Sequence, residues 1–296
     1  MNKTLMIKGI GVITPNIQAF NDMKTIGASF PQIIKKDILN IPDPIEIQKK
    51  ELRQMSKLTR LCIFAAANAI KMTNLKDKHS VGLFLGLTHG SASFLKKFHD
   101  YFIDYGADLA SPSAFSNGIS SAPLSSISSI FQLTDGGTAF TGVENIGIEL
   151  LNEAAFSIIN NEYQSCLAGA AEEFSSIVED VYRNIGWYNG ESPLYLPSCQ
   201  KRGKRNPGFS ISEGSVFFFL ESSKKISEGE NCYCFFSPIE NLFNLRNSFD
   251  LIISGAGGGP QDIFELRLLK KVLSIQEKPV PVLFSKPFFD KINPSA

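Results

Sequence analysis

An α/β fold follows from three features of the chain: apolar runs of strand length, helical patterns lying between them, and Gly, Pro or polar residues at their borders. The strand-like runs, in order, are Leu5 to Thr14, Val81 to Leu87, Thr138 to Val143, Ser165 to Ala170, Ser215 to Leu220, Cys232 to Phe236, Leu251 to Ser254 and Val280 to Ser285. Helical spacing, with apolar residues returning every three or four positions, is clearest at Thr59 to Met72, Asn145 to Asn160 and Gln261 to Ser274. Alternation of strands with helices requires crossover connections, which predicts a mostly parallel sheet packed on both faces. Loops are predicted at Asn16 to Arg53, Asp104 to Ser113 and Trp187 to Pro207.

Composition narrows the function classes. The 296 residues carry 29 Lys plus Arg against 29 Asp plus Glu, which leaves no basic stripe to displace counterions, so nucleic acid is not an expected partner. Five cysteines (Cys62, Cys166, Cys199, Cys232, Cys234) form an odd set with no C-x-x-C pair and only three histidines, which fits neither a disulfide framework nor a zinc site. No metal is expected, and the compartment is read as reducing. The N-terminus enters the alternating stretch Leu5 to Ile13 without the apolar block of a signal peptide. No segment reaches the roughly 18 consecutive apolar residues of a membrane span. The expected setting is cytoplasmic. Phe dominates the aromatic residues, 24 against 7 Tyr and 1 Trp, and a ring without a polar handle favours dry surroundings. Phe217 to Phe219 and Phe235-Phe236 are expected in core strands, whereas Phe288-Phe289 could equally belong to an apolar tunnel or partner surface.

Several local motifs invite chemistry. Leu251 to Pro260 reads as strand, glycine-rich turn and helix, but it lacks G-x-G-x-x-G spacing and Pro260 removes an amide donor, so no dinucleotide cofactor is expected. The spacing G-x-S-x-G is absent. His79 and His99 lie in polar stretches and read as solvated. His89, just after the Val81 to Leu87 run, is better placed, although no acidic partner is legible. Cys166 falls inside an apolar strand and reads as a core residue. Lys201, Arg202, Lys204 and Arg205 form the densest positive cluster, either a solvated loop or a dock for an acidic partner such as a carrier protein.

Taken in order, several segments resemble the β-ketoacyl synthases of the thiolase fold. Lys8-Gly-Ile-Gly-Val-Ile-Thr-Pro15 is similar to their opening strand with G-x-G-x-x-T-P, and Val81-Gly-Leu-Phe-Leu-Gly86 to their second strand. Leu167-Ala-Gly-Ala-Ala-Glu172 resembles the L-A-G-G-x-E strand that follows the nucleophile helix. Arg205-Asn-Pro-Gly-Phe-Ser-Ile-Ser-Glu-Gly214 resembles the loop R-D-G-F-x-x-x-E-G. Asp250 to Gly255 and Val282 to Lys286 look like the two C-terminal strands that carry histidines in active members. The resemblance implies a thiolase-like layered αβαβα fold in a single domain, 1–296, with an N-terminal half, 1–228, and a shortened C-terminal half, 229–296, that something must cover.

The departures from the family pattern carry the functional expectation. Where an active synthase has its acyl-accepting cysteine at a helix N-terminus, this chain has Val143 followed by Glu144. The two histidines that would stabilise an enolate align with Gly255 and Lys291, and only Lys286 keeps its family identity. No catalytic residue is therefore expected. A subunit without its nucleophile resembles the chain-length factors of type II polyketide systems, and the shortened kind found in aryl-polyene pathways suits the Phe surplus. That implies a heterodimer with an active β-ketoacyl synthase and only indirect contact with acyl carrier protein. The interface and tunnel residues implied are Ser113, Phe115, Gly118, Ile119, Thr138, Ala139, Phe140, Thr141 and Val143. Two rivals stand beside this reading: an acyltransferase with a relocated nucleophile (Cys166, or a serine of Ser120-Ser121, with His89 as base), and a scaffold with no tunnel role.

Overall fold

The computed structural model describes residues 4–14, 49–73, 75, 79–142, 146–186, 211–223, 232–236, 252–254, 262–274, 280 and 282–284. The elements are β1 (Leu5–Ile13), α1 (Lys49–Gln54), α2 (Lys57–Lys71), β2 (Val81–Leu87), α3 (Ala92–Tyr105), α4 (Pro112–Gly118), α5 (Ala122–Phe131), β3 (Gly137–Thr141), α6 (Ile146–Ile159), β4 (Ser165–Glu172), α7 (Ser176–Asn184), β5 (Gly214–Ser222), β6 (Cys234–Phe236), β7 (Ile252–Ser254), α8 (Asp262–Ser274) and β8 (Val282–Phe284), with a 3₁₀ turn at Ala107–Leu109. Every predicted strand and helix has a counterpart, and the class is α/β.

The sheet corrects one expectation. Six strands run in the order β3-β2-β4-β5-β1-β6. Only β3-β2 and β2-β4 are parallel, whereas β4-β5, β5-β1 and β1-β6 are antiparallel, so this sheet is mixed. Hydrophobic patterning identifies a strand and its buried faces but carries no direction, and the long stretch between β4 and β5 allows the chain to return antiparallel. A separate parallel pair, β7-β8, is built by the C-terminal segment, which also supplies β6 to the large sheet.

Both sheet faces are covered, as predicted. On one face Leu83, Leu85, Leu87, Leu167, Phe217 and Phe219 form a core with α2 and with Ile127 of α5. On the other, Phe84, Cys166, Ala168, Ala170 and Leu220 pack on Leu150, Ala154, Ala155 and Ile158 of α6. Alternate residues of β2 and β4 thus point to opposite cores, which explains why both read as unbroken apolar runs. The glycines of the opening strand have a steric reason: a Cβ on Gly11 would lie 1.8 Å from the Ala65 carbonyl oxygen, and one on Gly9 would lie 2.0 Å from that of Ala69. Only glycine lets α2 sit this close to β1.

Of the Phe runs, Phe217 and Phe219 are buried as expected, but Phe235 is 59% exposed on the edge strand β6, so core placement fails for that residue. Phe288-Phe289 lies outside the described residues. The predicted loop at Asp104 to Ser113 instead contains the end of α3, the 3₁₀ turn and the start of α4, and the described part of Asn16 to Arg53 contains most of α1. Trp187 to Pro207 lies outside the described residues.

Candidate functional site

The parallel strands β3, β2 and β4 end together on one side of the sheet, where ligand sites of α/β folds gather. Gly142 N donates to Leu87 O at 3.1 Å just beyond β3 and β2, and α6 begins at Ile146. Position 143 falls between them, outside the described residues, as do Gly255, Lys286 and Lys291 and the basic cluster Lys201, Arg202, Lys204 and Arg205.

At the same end stands a constellation that sequence reading missed. Glu172, 2% exposed at the tip of β4, accepts a hydrogen bond from the amide of Thr88 and another, at 3.3 Å, from that of His89. Its Oε2 lies 3.2 Å from His89 Nδ1, while His89 Nε2 meets Tyr182 Oη of α7 at 3.0 Å, the two rings meeting edge to face. A carboxylate facing Nδ1 favours the tautomer with the proton there, leaving Nε2 to accept from the phenol. The acidic partner of His89 is 83 residues away in sequence and becomes a neighbour only through the β2-β4 register, Gly86 opposite Ala170.

Two further buried carboxylates flank it. Glu173 accepts from Leu58 N at 3.3 Å and Ser93 N at 3.0 Å, the starts of α2 and α3, and desolvation raises its carboxyl above the ordinary value. Glu213 is fully buried, takes Phe174 N at 3.0 Å and pairs with Lys57 Nζ at 2.7 Å. Anions at helix starts satisfy amides that the helix cannot. These glutamates hold element ends together: each accepts from at least one backbone amide, Glu213 also pairing with Lys57 and Glu172 also facing His89. Both ring nitrogens of His89 already have partners, so neither is left over for a seryl hydroxyl, although Ser120 Oγ comes near Gly90. Cys166 is fully buried, its Sγ faces Ala154 O at 3.6 Å, and burial pushes its thiol well above the usual range, as it does for Cys62. His79 contacts Thr134 Oγ1 at 2.8 Å on the surface, and His99 is exposed on α3. No metal-holding cluster occurs among the described residues, and no described helix is long and apolar enough to cross a membrane.

The described interface residues fall on two elements, α4 with the residue after it, and β3. Ser113, Phe115 and Gly118 lie on α4 and Ile119 just after it, with Phe115 50% and Ile119 41% exposed and Gly118 buried against Leu95. Thr138, Ala139, Phe140 and Thr141 lie on β3, which among the described residues occupies one edge of the sheet and pairs only with β2. Phe140 is half-buried and stacks on Phe84 at 6.3 Å, so its ring belongs mainly to the core on the α6 side. α5 connects the two elements, contacting α4 on one side and β2 and β3 on the other.

No curated protein sequence matches the chain. Among solved structures it is similar to AntDE:AntF, a type II PKS acyl-carrier protein in complex with its ketosynthase bound to the hexaketide, with TM-score 0.76 and 18% identity over 99% of this chain and 88% of that one. It is similar to the ishigamide ketosynthase/chain length factor with TM-score 0.55 and 17% identity, over 76% of this chain and 63% of that chain. The ketosynthase ApeO in complex with its chain length factor ApeC from Xenorhabdus doucetiae gives TM-score 0.53 and 12% identity, over 74% of this chain and 79% of that one. At such identities the likeness is one of fold, thiolase-like with a mixed sheet between helices. Residues 34–225 match the β-ketoacyl synthase N-terminal domain, well over half of the chain, and by that match the chain belongs to the β-ketoacyl synthase family.

Proposed function

We propose that this chain is a non-catalytic ketosynthase homologue that acts as a chain-length factor: it pairs with an active β-ketoacyl-ACP synthase and shapes the cavity in which the partner extends its acyl chain. The observation that carries the reading is the open edge of β3, five residues whose outer backbone groups lack a strand among the described residues. An unpaired edge of this kind is a template for a strand from another chain. It leads directly toward position 143, where the family resemblance places a cysteine and this chain has valine, which cannot form a thioester. The exposed Phe115 and Ile119, linked to β3 through α5, supply apolar surface for lining a cavity. An aryl-polyene setting, with a long flat product, agrees with the Phe-rich composition. Condensation in this reading occurs at the partner's cysteine, and contact with the carrier protein is indirect.

The test is co-expression with a candidate synthase encoded beside it. The expected result is a one-to-one complex whose product shortens when Ile119 is enlarged to Trp, with no acyl adduct on this chain by intact mass after incubation with acyl-carrier protein substrates. A product unchanged by Ile119→Trp, or a covalent acyl group on this chain, overturns the reading.

A further inference from the structure

Helix α3 runs 14 residues without one buried side chain. Two stripes along it carry aromatic rings, and Ile103, 76% exposed, lies on neither. The inner one faces α4: the Phe98 ring lies 5.3 Å from that of Phe115 and 6.2 Å from that of Phe102, and Leu95 closes on Gly118. The outer one follows helical spacings of three and four through Lys97, Tyr101, Asp104 and Tyr105. All four are exposed, Tyr101 by 52% and Tyr105 by 60%, and the two tyrosine rings lie 5.6 Å apart. Lys97 rests over the Phe94 ring at 5.2 Å, and neither it nor Asp104 has an ion partner among the described residues.

The charges on this helix run against its own stability. A helix dipole favours acids in the first turn and bases in the last, yet α3 has neither. Lys96 and Lys97 instead precede Asp100 and Asp104, and the Lys96–Asp100 pair has the less favourable order. The same order is self-complementary. Lys97 and Asp104 stand about 10 Å apart along the axis, with Tyr101 near the midpoint. Turned end for end about Tyr101, a second copy brings its Asp104 opposite Lys97 and its Lys97 opposite Asp104, the requirement of a two-fold interface.

We propose that the outer stripe of α3 is a self-association surface that packs antiparallel against the same stripe of a second copy of this chain, with Tyr101 stacked on its counterpart at the axis and Lys97 set against Asp104 on either side. The contact uses different residues from the β3 edge and does not rest on the chain-length-factor reading. Where both contacts form, two heterodimers join through this chain.

Sedimentation of the full chain over a concentration series tests it, with far-UV circular dichroism confirming that each variant is folded. A concentration-dependent dimer is expected. Lys97→Glu places two like-charged pairs at the interface and is expected to weaken the dimer by about tenfold or more, and Asp104→Lys likewise. An equimolar mixture of those two variants restores both attractive pairs, as does the double variant Lys97→Glu/Asp104→Lys, so dimer strength returns in each case. A chain that stays monomeric at every concentration, a dimer indifferent to either single reversal, or a double variant as weak as the singles overturns the proposal.

Discussion

Glu172 offers the sharpest test of whether the carboxylate-imidazole-phenol set at the strand ends is structural. Replacing it with Ala strips acceptors from the amides of Thr88 and His89, both in partly buried positions, and leaves the His89 ring without its Nδ1 partner. A buried donor left unsatisfied costs about 1–3 kcal/mol, so two donors place the loss at about 2–6 kcal/mol, a large share of the 5–15 kcal/mol that holds a typical domain together. Glu172→Gln keeps one acceptor oxygen and loses the charge, for about 2 kcal/mol. Removing the imidazole alone by His89→Ala leaves the amides satisfied and costs about 1 kcal/mol, and the Glu172→Gln/His89→Ala double variant reveals a coupling of the same order. Urea unfolding followed by far-UV circular dichroism measures all four. A Glu172→Ala protein within 1 kcal/mol of wild type would refute the argument that this carboxylate fastens β4 to the turn after β2.

Three other outcomes are expected. Gly11→Ala drives a methyl into the Ala65 carbonyl of α2 and should lower stability by at least about 2 kcal/mol, seen as a drop in Tm, whereas an unchanged Tm would show that β1 and α2 separate freely. Cys62 and Cys166, buried with their thiols raised, should resist iodoacetamide in the native protein while exposed Cys234 is alkylated, as peptide mapping can read. Glu173 has a carboxyl raised by desolvation, so the fold favours its protonated form: that contribution is fully present below the ordinary value of 4.5 and is lost as pH rises through the raised one. The stability of wild type relative to Glu173→Gln should therefore increase as pH falls from 7 toward 4.5, and a flat or opposite trend in urea midpoints would contradict it.

The legible parts of the fold are those where burial leaves a one-dimensional trace. Val81–Leu87 matches its predicted bounds because both of its faces meet a core, so no polar residue interrupts the run. α2 and α6 are legible for the same reason, each having a broad buried side. α3 escaped because nothing on it is buried, so its apolar positions never resolve into a single stripe, and α5 escaped because serines at 125, 126, 128 and 129 dilute its pattern. Strand direction was illegible, since alternation is blind to polarity. The site divides similarly. The family resemblance singled out Glu172 and Glu213 as motif letters, and the structure gives them a physical task at the ends of strands and helices. The link from Glu172 to His89 and Tyr182 needed a register that no local spacing encodes. His89 stood out by position, yet the groups that occupy both its nitrogens come from β4 and α7.

The large sheet is unequal at its two flanks. Among the described residues one ends in β3, five residues long, and the other in β6, three residues that include an exposed phenylalanine. A chain with one long and one short border grows poorly into a ribbon, because continuous stacking would have to use the short border at every second junction. Joining two long borders consumes both at once and ends the addition there. In the proposed pairing, a union through the β3 border therefore joins two sheets, before any side chain decides which companion is chosen.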